Sequence, residues 1–104
     1  MNTEFCQIFF GAETEEEANK IIDALFEAKL IACADSFPIN ANYRWKGGIQ
    51  REERIQVIAY SRLDFKDKII EAISKNHLDE VPAIVFSPIE ANQEYLDWIE
   101  ESVR

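Results

Sequence analysis

Ala41-Asn42-Tyr43-Arg44-Trp45-Lys46-Gly47-Gly48 is the stretch that decides the fold. Ala41, Tyr43 and Trp45 alternate with Asn42, Arg44 and Lys46, which predicts a strand with one polar face. Gly47-Gly48 can supply the positive φ angles of a tight two-residue turn. Ile49 to Ser61 then returns as a second arm, with Ile55, Val57 and Ala59 on one face. Pro38, in the first arm, predicts a bulge or an edge position, because it lacks a ladder N–H. Arms of about a dozen residues outrun the helices of so small a domain and leave edges in need of pairing. Tyr43 and Trp45 share a face there and need cover, which a second subunit would provide.

Upstream, Phe5-Cys6-Gln7-Ile8-Phe9-Phe10 is a short aromatic and branched run before Gly11, a largely buried strand. Thr14 and Glu17 form a capping box, and Glu15, Glu16 and Glu17 suit the positive end of a helix dipole. Ala18, Ile21, Ile22, Leu25 and Ala28 supply that helix's apolar stripe. The acidic run therefore reads as a helix start. Leu30 to Cys33 turns apolar again and leads into the hairpin.

Downstream, Asp64 can cap a second helix with Phe65, Ile69, Ala72 and Ile73 on one stripe, ending near Asn76-His77. Ala83-Ile84-Val85-Phe86 reads as a buried strand closed by Ser87-Pro88. A last helix from about Asn92 to Val103 turns Tyr95, Leu96, Ile99 and Val103 inward. The order is β-α-β-β-α-β plus a terminal helix: an α+β, ferredoxin-like arrangement in one domain spanning residues 1–104.

Twenty acidic against eleven basic residues leave a net charge of −9, which disfavours nucleic acid and anionic lipid as partners. Exposed sheet aromatics without neighbouring basic residues argue against RNA recognition. No apolar run approaches the roughly 20 residues of a membrane span. Met1-Asn2-Thr3-Glu4 has neither the basic nor the apolar region of a signal peptide, and two unclustered cysteines suit a reducing compartment. The expectation is a cytoplasmic protein.

No phosphate-cradling glycine loop or nucleophile elbow is present. Cys33 with the single histidine, His77, is the one pair that could act as nucleophile and base, and the expectation is that the protein is not an enzyme. His77 has two readings: a helix-terminal residue serving the last carbonyls, or a metal ligand. A metal site would need carboxylates or a neighbouring subunit to complete it.

Four segments carry a family likeness. Tyr43-Arg44-Trp45-Lys46-Gly47 resembles the Y-x-W-x-G hairpin motif of CutA proteins, and His77-Leu78-Asp79-Glu80-Val81-Pro82 resembles their H-P-x-E-V-P segment. Leu30-Ile31-Ala32-Cys33-Ala34-Asp35 is similar to their L-A-A-C-V-N strand start, and Tyr95-Leu96-Asp97-Trp98-Ile99 to the Y-L-x-W-L of their last helix. The resemblance implies a homotrimer linked to divalent-cation tolerance, copper especially, with a likeness to PII-type signalling proteins. It further implies a cleft between subunits near Cys33, Tyr43, Trp45, Tyr60, His77 and Glu80, with His77 as metal ligand and a divalent ion such as copper, or a small molecule, as occupant. A scaffold or interaction trimer without a metal is the alternative. The chain departs from the family's pattern at Phe10, Asp35, Tyr60-Ser61 and Ala83, which remodels the cleft toward lower charge.

Overall fold

A computed structural model describes residues 4–103. The reading of Met1 to Thr3 lies outside the described residues. The elements are β1 (Phe5–Ala12), α1 (Glu15–Glu27), β2 (Cys33–Trp45), β3 (Gly48–Arg62), a 3-10 turn (Leu63–Phe65), α2 (Lys66–Asn76), β4 (Ile84–Ile89) and α3 (Gln93–Ser102). The four strands form one antiparallel sheet in the order β2-β3-β1-β4. This is an α+β fold in which β3 inserts between the strands that flank α1.

Strand alternation divides the sheet into two faces. Cys6, Ile8, Phe10 and Ala12 of β1, with Val57 and Ala59 of β3, face the core with Ala18, Ile21 and Leu25 of α1 and Ile69 and Ile73 of α2. Each fully buried Ile, Leu or Phe there contributes about 1.5–3 kcal/mol. The opposite face carries Gln7, Phe9, Ile58, Tyr60, Cys33, Phe37, Tyr43 and Trp45, all half-buried or exposed.

The hairpin is as long as its alternation promised, and its β2–β3 register is unbroken from Cys33↔Tyr60 to Trp45↔Gly48. Pro38 makes no bulge; β2 is the sheet's outer strand, where its missing N–H costs no ladder bond. The turn residues are Lys46 (φ 49) and Gly47 (φ 82), not Gly47-Gly48. Both positive angles fit a type I′ turn, whose twist matches that of the arms. The arms extend beyond the helices, giving extents of 45 × 25 × 22 Å. The radius of gyration, 14.3 Å, exceeds the roughly 13 Å of a compact chain of this length.

Four local expectations are corrected. β1 continues past Gly11 to Ala12, and β4 runs through Ser87-Pro88 to Ile89. β4 is the other edge strand, so Pro88 is tolerated there as Pro38 is in β2. Asp64 does not cap α2: its carboxylate accepts two bonds from the Arg62 guanidinium, at 3.0 and 2.7 Å, and the α2 N-cap, Phe65, makes no side-chain capping bond. Ala28 is the exposed C-cap of α1, not part of its apolar stripe.

Thr14 caps α1 as expected, accepting from the Glu17 N–H at 3.1 Å. α1 ends in a Schellman motif, with Lys29 N–H donating to the Phe26 carbonyl and Leu30 N–H to the Leu25 carbonyl, both at 2.9 Å. Lys29 holds the left-handed position there at φ 57, where glycine is usual.

Candidate functional site: the groove between the hairpin and the 78–83 loop

Tyr43 and Trp45 lie two residues apart on the same face of β2, and each is little more than a third exposed (38% and 37%). Opposite them runs the loop from α2 to β4. Between loop and hairpin lies an open groove of about 640 Å³, lined among others by Tyr43, Trp45, Arg54, Leu78, Glu80 and Ala83.

A chain of polar contacts underlies it. The Tyr43 hydroxyl donates to Glu52 Oε1 at 2.7 Å, and Arg54 Nη1 donates to the same oxygen at 3.0 Å. Arg54 Nη2 donates to Asp79 Oδ2 at 2.7 Å, tying the hairpin to the loop. The Arg54 side chain is only 11% exposed. Burial works against its charge, but the Glu52 and Asp79 carboxylates outweigh burial and raise its pKa. The Tyr43 hydrogen bond, followed by that of Arg54, lowers the Glu52 pKa; the same bond to Glu52 raises that of Tyr43.

His77 sits beneath the groove, its side chain 1% exposed. Nε2 bonds the Gly11 carbonyl at 2.5 Å and Nδ1 accepts from the Asp79 N–H at 3.0 Å. It is the C-cap of α2, but it serves a β1 carbonyl, not the last carbonyls of its own helix. Both ring nitrogens are committed, so neither offers a lone pair to a metal in this arrangement. Among the described residues, no three His, Cys, Asp or Glu side chains gather where they could hold a metal ion. The described residues of a single chain therefore do not fit copper or another divalent ion. Phe10, one of the departures from the family pattern, is buried in the core.

Glu17 shows what local reading misses. Its Oε1 accepts from the Glu13 N–H at 2.6 Å, one residue before the N-cap Thr14, and its Oε2 accepts from the Leu78 N–H at 2.8 Å. The same Oε2 lies 3.3 Å from His77 Nδ1. The glutamate read as a helix-start residue also anchors the groove wall. The only sequence signal for this is its place at the start of α1, which faces both ways.

Cys33 and Tyr60 lie elsewhere. They are a cross-strand pair ten positions along β2 from Tyr43, which is about 33 Å at strand rise. The Tyr60 hydroxyl accepts from Gln7 Nε2 at 2.8 Å, and Cys33 Sγ is 3.3 Å from the Tyr95 hydroxyl. Tyr95 meets Tyr60 edge-on at 5.8 Å and stacks on Trp98 at 5.7 Å. Burial, followed by its bond to Cys33, raises the Tyr95 pKa. Cys33 and His77 do not meet within the chain, so no nucleophile–base pair forms between them. The chain brings Tyr43, Trp45 and Glu80 together over His77 and leaves Cys33 and Tyr60 at the far end of the sheet.

Ser61 is fully buried, and its hydroxyl donates to the Leu30 carbonyl at 2.6 Å. Ala83 lines the groove without charge, and Asp35 is exposed on β2. Lys46 stands 3.9 Å from Glu80 and 5.7 Å over the Trp45 ring. Both charges of that pair are solvated, so it contributes little.

Residues 6–102 match the family model of the CutA1 divalent ion tolerance protein. The chain belongs to this family. It is 34% identical over 97 residues to the divalent-cation tolerance protein CutA of Archaeoglobus fulgidus, covering 92% of this chain and 95% of that one. It is 35% identical over 97 residues to the Thermus thermophilus protein of that name, covering 91% and 94%. A solved Archaeoglobus fulgidus structure, described as the periplasmic divalent cation tolerance protein CutA, superposes with a TM-score of 0.93 at 33% identity, covering 96% and 99% of the two chains. The CutA1 structure from Oryza sativa gives 0.93 at 26% identity, over 97% and 94%. No helix of the described residues is long and apolar enough to cross a membrane.

Proposed function

We propose that the chain works as a ferredoxin-like homotrimer in divalent-cation tolerance, binding its ligand in a cleft that the hairpin groove forms with neighbouring subunits, and without catalysing a reaction. The observation that carries this is the hairpin, which projects past the core with Tyr43 and Trp45 half-covered on one face and β2 unpaired along its outer edge. Association with further copies covers the face and pairs the edge. It also offers the only route by which the distant Cys33–Tyr60 end of one sheet could approach the Tyr43–Trp45 end of another.

A divalent cation, copper being the one the family likeness implies, would then be held by groups from more than one subunit, because the described residues of one chain supply no ligand set. The aromatic walls and the neutralised Arg54 also favour a second reading, a PII-like signalling trimer whose groove takes a small organic ligand. We place the protein in the cytoplasm.

Light scattering on the eluting protein tests the assembly: the expected mass is that of three 12.1 kDa chains, and a monomer at micromolar concentration overturns the proposal. Calorimetric titration with copper separates the two readings. Stoichiometric binding that survives His77→Ala supports a cation site built between subunits. No binding leaves the signalling reading, and binding abolished by His77→Ala alone refutes the placement of the metal away from His77.

A further inference from the structure

We propose that Glu17 is a positioning residue for the groove, holding the wall opposite the hairpin from the first turn of α1; the inference rests on the groove being the binding site. Among the described residues, Glu17 and Ser61 are polar residues buried in the apolar core, and the His77 side chain is buried beside Glu17. Ser61 answers a neighbouring loop carbonyl, whereas Glu17 answers a backbone N–H 61 residues away in sequence.

Leu78 is 71% exposed, yet its N–H points inward to Glu17 Oε2. Its solvated side chain supplies little packing to hold the loop, so the buried carboxylate must do so. The next residue, Asp79, donates its N–H to His77 and accepts the Arg54 guanidinium on its carboxylate. With Leu78 and Asp79 pinned by their backbone, the Asp79 carboxylate stands where Arg54 needs it, and Arg54 in turn braces Glu52 and Tyr43. A single buried carboxylate thus links α1 to the hairpin through Leu78, Asp79 and Arg54, and the width of the groove depends on it.

A buried carboxylate with two backbone donors is held by those partners; removing it strands both N–H groups. Glu17 also belongs to the capping box, so a purely local role is the competing explanation. The two are separated by Thr14→Ala, which removes the cap hydroxyl at the same helix end and leaves the Glu17 carboxylate in place.

The test is amide hydrogen exchange by NMR on the intact protein, together with emission from Trp45 in a Trp98→Phe background. Glu17→Ala is expected to speed exchange at the Leu78 amide tenfold or more and to shift Trp45 emission to the red. Glu17→Gln, which keeps one acceptor oxygen and serves if the alanine variant does not fold, is expected to speed it by a smaller factor. Thr14→Ala is expected to leave both readouts unchanged. Leu78 exchange at the wild-type rate in Glu17→Gln and Glu17→Ala overturns the proposal, as does equal acceleration in Thr14→Ala. Both signals are read without ligand, so this failure is distinct from a failure of the groove to bind anything.

Discussion

Replacing Lys29 by glycine should leave the protein more stable than replacing it by alanine, although glycine adds no contact. Lys29 occupies the left-handed position that closes α1, at φ 57. A residue with a Cβ pays about 1–2 kcal/mol for that conformation. Glycine escapes this cost but loses about 0.5–1 kcal/mol through its greater freedom in the unfolded chain. Both Schellman bonds are made by backbone N–H groups and survive the change. The lysine charge near the helix C-terminus contributes about 0.3–1 kcal/mol of its own, so Lys29→Ala is the proper reference. It loses the same charge and keeps the Cβ. Lys29→Gly should therefore exceed Lys29→Ala by about 0.5–1 kcal/mol. Urea unfolding at one fixed protein concentration reads this as a midpoint about 0.3–0.7 M higher, for a slope near 1.5 kcal/mol/M. Fixed concentration matters because subunit association would add to the apparent stability. Equal midpoints for the two variants, or a lower one for glycine, would refute the reasoning.

Ser61→Ala should cost about 1–3 kcal/mol in the same unfolding assay, because the Leu30 carbonyl loses a donor at a site water does not reach. Burial raises the Cys6 thiol pKa to about 11, so at pH 8 a thiol reagent should label Cys6 only after unfolding; its modification in the native protein would show the core to be open. Acid should weaken the fold through Glu52 and Asp64, whose folded pKa values are lowered by hydrogen bonds, chiefly from Tyr43 and from Arg62. Since the unfolded chain holds more protons below the ordinary carboxylate pKa of about 4, this stability is present above that value and is lost as pH falls through the lower folded values. Both groups are exposed, so the effect should shrink with added salt. A pH series of urea midpoints with Glu52→Gln and Asp64→Asn combined should be flatter than wild type, and an equally steep series would assign the acid loss to other groups.

Much of the fold was legible because its signals are local. The alternation of Ala41, Tyr43 and Trp45, the Thr14–Glu17 box and the stripe of Ala18, Ile21 and Leu25 each depend on the backbone repeat of a single element. Even a misplaced turn did limited harm. Taking Gly47-Gly48 in place of Lys46-Gly47 shifts every cross-strand pair by two positions, which keeps each side chain on its face. It does pair Cys33 with the wrong residue, since only the true turn sets Tyr60 opposite it.

By itself, then, the sequence determined which residues form strands and helices, which faces are apolar and which family the motifs resemble, because periodicity and turn chemistry act over a few residues. Only the tertiary structure decided the site. Glu17 reaches Leu78, Arg54 reaches Asp79 and His77 reaches Gly11 across separations of 61, 25 and 66 residues. Such contacts follow from how helices and sheet are laid together, and no spacing along the chain encodes them. For the same reason His77, which the sequence left open as cap or ligand, became a buried brace beneath the groove. Cys33 and Tyr60, grouped with Tyr43 and Trp45 by the family likeness, stand at the other end of the hairpin.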